Sequence, residues 1–261
     1  MSAGISDQLL ELSHELGRPE YDFAILGEGN TSARLDGETF LVKASGSELR
    51  TLRPDQVVEV RFDACRDMMD GPPLSDVQIK DMLLAAVSHG PPGLRPSVET
   101  VMHAALLGLD GIHFVGHTHP SAINSLACSD RFETALTPRL FPDHVVVCGP
   151  SAALVPYVDP GLPLAAAVLE SARAYLDEYG EAPKTIYLKN HGFIALGKTA
   201  NQVAQITHMA VKAARILLGS FAVGSPVFMT TSNVNRIAGR DDEHYRQQVL
   251  SQSKATDRGL E

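Results

Sequence analysis

The stretch Ile112-His113-Phe114-Val115-Gly116-His117-Thr118-His119-Pro120 constrains this chain more than any other. A β-prone apolar run delivers two histidines spaced i, i+2, and alternate side chains of an extended chain point the same way. His117 and His119 therefore leave one face of a strand end together, where the pair can grip one cation. Neutral imidazole is the commonest protein ligand for zinc, and a catalytic zinc usually takes three protein ligands with one position left open. The pair thus predicts a third nitrogen donor elsewhere in the chain and a carboxylate nearby.

Thr185 to Gly197 reads as two short strands meeting at Asn190-His191-Gly192. A turn beside a glycine lets an imidazole project from the sheet edge, so His191 is the expected third ligand. Glu99 follows Pro96-Ser97-Val98 at the start of a helix predicted to run to Gly108. Ser97 or a neighbour can cap that helix, and a carboxylate in its first turn is favoured by the helix dipole. His103 lies one turn beyond Glu99 on the same face and is expected to support the site, not to bind the ion. His113 shares the parity of His117 but sits about 13 Å away along a strand, too far to share a metal.

Upstream, residues 6–17 place Leu9, Leu12 and Leu16 at helical spacing, and Asp36-Gly37 reads as a hairpin turn between two strands. Gly27-Glu28-Gly29 suggests a dinucleotide fingerprint, but Ser32 stands where the third glycine belongs and a strand follows instead of a helix. Gly29, Asn30, Ser45 and Gly46 offer the donors of an anion nest, or serve turn geometry alone. Val57–Val60 and Val145–Val147 read as strands, and 76–89, 162–179 and 199–218 as helices. One domain over residues 1–225 is expected, with a polar tail over 226–261 able to pack on a neighbouring subunit.

The formal charge of −9 over 261 residues argues against nucleic acid or an anionic membrane as a partner. No basic stretch followed by an apolar core opens the chain, and its apolar runs fall short of the ~20 residues that cross a bilayer, so a cytoplasmic location is expected. Cys65, Cys128 and Cys148 are too scattered for a disulfide framework or a thiolate zinc site. Cys128 is expected to be a small buried apolar residue on a helix.

Gly29-Asn30, Ala44-Ser45-Gly46, Pro96-Ser97-Val98-Glu99, His117-Thr118-His119-Pro120 and Lys189-Asn190-His191-Gly192, in this order, resemble the class II aldolase/adducin family over residues 5–220 or so. The resemblance implies an α/β fold, a three-layer α/β/α domain around a mostly antiparallel sheet, assembled as a homotetramer with sites at subunit interfaces. It implies that His117, His119 and His191 bind a divalent metal, usually Zn2+ with Mn2+ or Co2+ as alternatives, that Glu99 is the acid/base, and that Gly29, Asn30, Ser45, Gly46 and Ser97 hold a substrate phosphate. The activity implied is cleavage of a ketose phosphate or related hydroxy-ketone into dihydroxyacetone phosphate, or an analogue, and an aldehyde, through a metal-stabilised enediolate.

Decarboxylation of a keto acid is an alternative on the same scaffold, and a non-catalytic, adducin-like assembly domain another. The phosphate-binding members usually carry a second serine where this chain has Val98. Losing one hydroxyl donor to a buried phosphate oxygen costs of order 1–3 kcal/mol, which leaves room for an unphosphorylated substrate. A tyrosine from a neighbouring subunit often protonates the leaving aldehyde in the family; Tyr157, Tyr187 and Tyr245 could each do so.

Overall fold

Strands that alternate apolar residues on both faces need helices on both sides of their sheet, and that requirement organises the fold. The computed structural model describes residues 4–240. It opens with α1 (Ile5–Leu16), followed by the predicted hairpin of β1 (Asn30–Arg34) and β2 (Thr39–Lys43). In the turn, Asp36 Oδ1 accepts from the backbone N–H groups of Glu38 and Thr39, each at 2.7 Å. β3 (Val57–Arg61) leads directly into α2 (Phe62–Asp70) and then α3 (Asp76–Ala85).

α3 ends sooner than its periodicity predicts. Val87–His89 leaves the helix as a short edge strand, β4, because Val87 gains a partner in Val60 of β3. α4 (Thr100–Leu107), β5 (Phe114–Thr118), α5 (Ser121–Ala127) and α6 (Phe132–Leu136) come next.

Val145–Val147, expected as a strand, lies instead in a helix, α7 (Pro142–Cys148). Pro142 supplies a preset φ to its first turn. The helical spacing puts Val145 and Cys148 on one buried face, and Val145 packs with Val234 and Ile237. Packing thus overrides the β-preference of the valines. The strand of this region is β6 (Ala153–Val155), which the sequence did not announce.

The remainder is α8 (Leu162–Tyr179), β7 (Thr185–Leu188), β8 (Gly192–Gly197), α9 (Ala200–Val223) and α10 (Thr231–Ala238). α10 packs against α7. His244, Tyr245 and Arg246 of the polar tail lie outside the described residues. By length and composition alone α9 could cross a bilayer, but here it lies against α1, α5, α7 and β8.

The eight strands form one sheet in the order β4-β3-β2-β1-β5-β8-β7-β6. Every neighbouring pair is antiparallel except β6 with β7, so the sheet is mixed and mostly antiparallel, as expected. On one face Phe40, Val42, Val58, Val115, Ile186 and Ile194 pack with α2, α4 and α8. On the other Ala33, Phe114, Tyr187, Phe193 and Ala195 pack with α1, α5 and α9.

Gly116, at the centre of β5, marks how close the second helical layer comes. A Cβ there would lie 2.8 Å from Val203 Cγ1 on α9 and 2.9 Å from Leu16 Cδ1 on α1. Gly116→Val should therefore overpack this contact and lower unfolding stability by about 1–3 kcal/mol, read from the midpoint of chemical denaturation.

Candidate metal centre

His117 is the fourth residue of β5 and shares the parity of Val115, so it faces the α4 layer. His119 follows just beyond the strand end, where its backbone N–H donates to the Phe23 carbonyl at 2.8 Å. β8 is the neighbour of β5, with Thr118 opposite Phe193, and so the turn carrying His191 arrives beside the pair.

That turn depends on two local features. Asn190 adopts φ 55, a left-handed conformation that asparagine tolerates better than most residues. Gly192 has no room for a side chain, since a Cβ would meet His119 Cδ2 at 2.6 Å and the Thr118 carbonyl oxygen at 2.7 Å. The three rings come together with centroids 4.8, 5.0 and 5.1 Å apart. One nitrogen from each lies within 4.8 Å of the others.

The hydrogen bonds on the outer side of two of the rings define what the inner side offers. His117 Nδ1 lies 3.0 Å from the Phe193 carbonyl oxygen and His119 Nδ1 3.0 Å from Glu28 Oε2, so each ring donates its one N–H outward. Their Nε2 lone pairs then face each other at 3.1 Å. Glu99 Oε1 adds a further acceptor, 3.3 Å from His191 Nε2 and 3.7 Å from His117 Nε2. Acceptors crowded in this way need a cation among them, and three imidazole nitrogens suit zinc or a similar divalent ion.

Burial, the largest influence on His117, pushes its pKa down to about 3 and keeps the ring neutral, the form that binds metal. Burial alone would raise the pKa of Glu99. The neighbouring His117 and His191 rings and the hydrogen bond from the Asn30 amide outweigh it and hold the carboxyl well below the usual range.

Glu99 sits at the N-cap position of α4, with its backbone N–H donating to Ser97 Oγ at 3.1 Å. Its other oxygen is held by a chain of three residues. Asn30 lies opposite His117 in the β1–β5 register, and its Nδ2 donates to Glu99 Oε2 at 2.7 Å. His103 Nε2 donates to Asn30 Oδ1, which fixes which end of that amide faces Glu99. Ser32 Oγ in turn donates to His103 Nδ1 at 2.6 Å. His103 thus supports the acid/base candidate, as its place one turn after Glu99 suggested.

The residues expected to bind an anion divide between two places. Gly29 (φ 70) and Asn30 lie within the centre, where a Cβ on Gly29 would come 2.8 Å from the His117 carbonyl oxygen and the Asn30 amide is committed to Glu99. Ser45 and Ser97 line an adjoining cleft of about 530 Å3 with Lys80, Arg95 and Val98. Gly46 follows Ser45 with φ 81.

Two groups at the centre escaped sequence reasoning. From sequence Glu28 has no assigned role, although a carboxylate set between two glycines hints at one. Lys43, at the end of β2, is 3% exposed and donates through Nζ to the Ser47 carbonyl at 2.5 Å and more weakly to that of Ala44 at 3.5 Å. Burial lowers its pKa while the Glu99 charge works the other way. The alternation of β2 gives no sign that this lysine is buried.

Tyr187 is buried on the opposite face of the sheet and cannot serve this chain's own centre. Tyr157 is exposed and donates to Asp159 Oδ1 at 3.0 Å, and Tyr245 lies outside the described residues. Cys128, expected to be buried, is exposed at the C-terminal cap of α5. Cys65 and Cys148 are buried, and burial pushes both thiols up to about 12.

The fold and sequence are similar to those of known proteins. The family model described as Class II Aldolase and Adducin N-terminal domain matches residues 7–218. The chain is 27% identical over 209 residues to the 3-oxo-tetronate 4-phosphate decarboxylase of Haemophilus influenzae, covering 79% of this chain and 85% of that protein. It is 28% identical over 191 residues to YuxG of Bacillus subtilis, described as an uncharacterized oxidoreductase, covering 69% of this chain but 25% of that longer protein. Among solved structures, the N-terminal class II aldolase domain of a conserved protein from Thermoplasma acidophilum superimposes with a TM-score of 0.65 at 26% identity, covering 84% of this chain and 95% of that one.

Two outcomes follow from the geometry. His191→Ala should leave a two-histidine site that retains well under one equivalent of zinc after dialysis, where the unmodified chain retains close to one, as read by elemental analysis. The second concerns acid. Burial is the main cause that lowers the pKa of His103 to about 4, against an unfolded value near 6.5. The stability from its neutral ring is complete above about pH 6.5 and is lost as pH falls toward 4. Metal-free protein should therefore denature at lower urea at pH 5 than at pH 7, and His103→Gln, which does not titrate, should show a smaller difference.

Proposed function

The chain belongs to the class II aldolase and adducin family, and from that premise we propose that it is a metal-dependent carbon–carbon lyase acting on a phosphorylated ketose or related hydroxy-ketone. Its products would be dihydroxyacetone phosphate, or an analogue, and an aldehyde. The observation that carries this reading is the convergence of three imidazoles, one nitrogen of each within 4.8 Å of the others, beside the Glu99 carboxylate, with the protons of two rings used elsewhere.

His117, His119 and His191 would hold the divalent ion, zinc before manganese or cobalt. The ion supplies Lewis-acid stabilisation of the negative charge that develops on substrate oxygen when the carbon–carbon bond breaks. The chain's own groups do the rest. Glu99 is mostly buried, anchored on Oε2 by Asn30, and has Oε1 turned toward the ligand nitrogens. In cleavage this carboxylate would take up the proton that the substrate hydroxyl loses as the aldehyde forms and return it to the carbon next to the carbonyl; in the synthetic direction both transfers run in reverse. The anionic end of the substrate would lie in the adjoining cleft, where Ser45 and Ser97 offer hydroxyls and Lys80 and Arg95 offer charge. Val98, 47% exposed, presents an apolar surface there. Assembly as a cytoplasmic homotetramer belongs to the same proposal, and light scattering of the purified protein checks its size.

The similarity to the Haemophilus influenzae decarboxylase favours a second reading, loss of carbon dioxide from a phosphorylated keto acid. That reaction leaves the same charge on oxygen and asks the same proton transfer of Glu99. Incubating zinc-loaded protein with ketose phosphates and with phosphorylated 3-keto acids, and measuring aldehyde and carbon dioxide separately, distinguishes the two. Turnover of neither class with or without divalent metal would reject both. Glu99→Gln should keep its zinc and lose about 10²–10⁴-fold in kcat on whichever substrate is turned over; an unchanged rate would remove Glu99 from the chemistry.

A further inference from the structure

We infer that Glu28 is a positioning residue for the metal centre, one that aims His119 through its outer ring nitrogen and ties the turn at residues 25–28 to that centre. The inference rests on the reading of His117, His119 and His191 as metal ligands. Both carboxylate oxygens of Glu28 are engaged, and by different partners. Oε2 lies 3.0 Å from His119 Nδ1, across 91 residues of sequence, while Oε1 accepts from the Ile25 N–H at 2.7 Å. The backbone N–H of Glu28 also donates to the Ile25 carbonyl at 3.2 Å, so this residue closes its own turn from two sides.

The turn is held in a conformation it would not keep unaided. Leu26 is 78% exposed and has φ 53, left-handed backbone that is unfavourable for a residue with a Cβ. Its side chain gains little by burial there. What holds the segment is the pair of Ile25–Glu28 bonds inside the turn and, outside it, the bonds of His119 to Glu28 and to the Phe23 carbonyl. An ion that fixes the His119 ring therefore also fixes the residue that closes the turn.

The two outer-nitrogen partners differ in kind. His117 is held by a neutral backbone carbonyl, His119 by a carboxylate. A carboxylate on Nδ1–H fixes the tautomer that leaves Nε2 free for a metal and makes that nitrogen a better donor, and losing such a partner weakens metal binding by about 10–100-fold. Glu28→Gln keeps an oxygen acceptor of the same reach without the charge, and Glu28→Ala removes both.

The test uses the metal-stripped full chain and these two variants, titrated with zinc against a competing chromophoric chelator. Hydrogen exchange over residues 24–29 is followed with and without zinc. Zinc affinity should fall by about 10–100-fold in Glu28→Ala and by less in Glu28→Gln. Zinc should slow exchange over 24–29 in the unmodified chain and leave it unchanged in Glu28→Ala. Equal zinc affinity in all three proteins, with the same exchange response, would overturn the role of Glu28 and leave the metal centre standing. No zinc binding by the unmodified chain would overturn the metal centre itself, and this inference with it. Circular dichroism of each variant and the behaviour of Glu28→Gln separate loss of the fold from loss of the contact.

Discussion

The Nε2 atoms of His117 and His119 face each other with no proton between them, beside a buried carboxylate, and the surrounding structure holds them there. His117 and His119 give their ring protons to the Phe193 carbonyl and to Glu28, which leaves two lone pairs 3.1 Å apart with the Glu99 carboxylate beside them. Burying such a set without a counter-charge is costly. The structure offsets part of that cost with donors placed one layer out, the Asn30 amide on Glu99 and the Ile25 N–H on Glu28. Neither donor enters the space between the imidazoles. A divalent cation would fit that space, with His191 as a third donor.

The convergence comes from the order of the strands. β1, β5 and β8 are consecutive in the sheet, and they carry Asn30, His117 and the turn bearing His191. Register decides the side as well as the neighbour, because a slip of one residue would turn His117 toward the opposite helical layer. Gly116 guards against that slip, since the backbone beside it is pressed closely enough by Val203 and Leu16 to refuse any side chain. α4 completes the arrangement by packing on the His117 face and presenting Glu99 from its first end. A strand that packs apolar residues on both faces and carries His117 beside Val115 on one of them thus couples stability to the site.

The convergence of His117, His119 and His191 is legible in the sequence because its signals are local. An i, i+2 pair at a strand end and a histidine held against a glycine each state their geometry within a few residues. His103 was legible as a support from its one-turn spacing to Glu99, but not its bond to Asn30, which spans 73 residues. The valines of α7 misled for the opposite reason. Their β-preference is local, whereas the contacts that decided the issue, with α9 and α10, are distant in sequence. The early end of α3 has the same origin, since β3 captures Val87. Glu28 and Lys43 were hidden because an acidic turn residue and a basic strand end both read as solvated until the fold buries or engages them.

Charge around the pocket bears on what it can accept. The three ligand rings are neutral in the form that binds metal, Glu28 and Glu99 each bring one negative charge, and Lys43 brings one positive charge from beneath the Ser45–Gly46 loop. A divalent ion added to that set leaves the centre with a net positive charge of one. Opposite charges attract more strongly in a partly desolvated site than in water, so the centre favours a substrate whose reacting oxygens become negative. Lys80 and Arg95 line the adjoining cleft together with Asp76, which leaves that cleft one net positive charge. Under the proposed function, positive charge at both places would suit a small anionic carbonyl compound better than a neutral sugar.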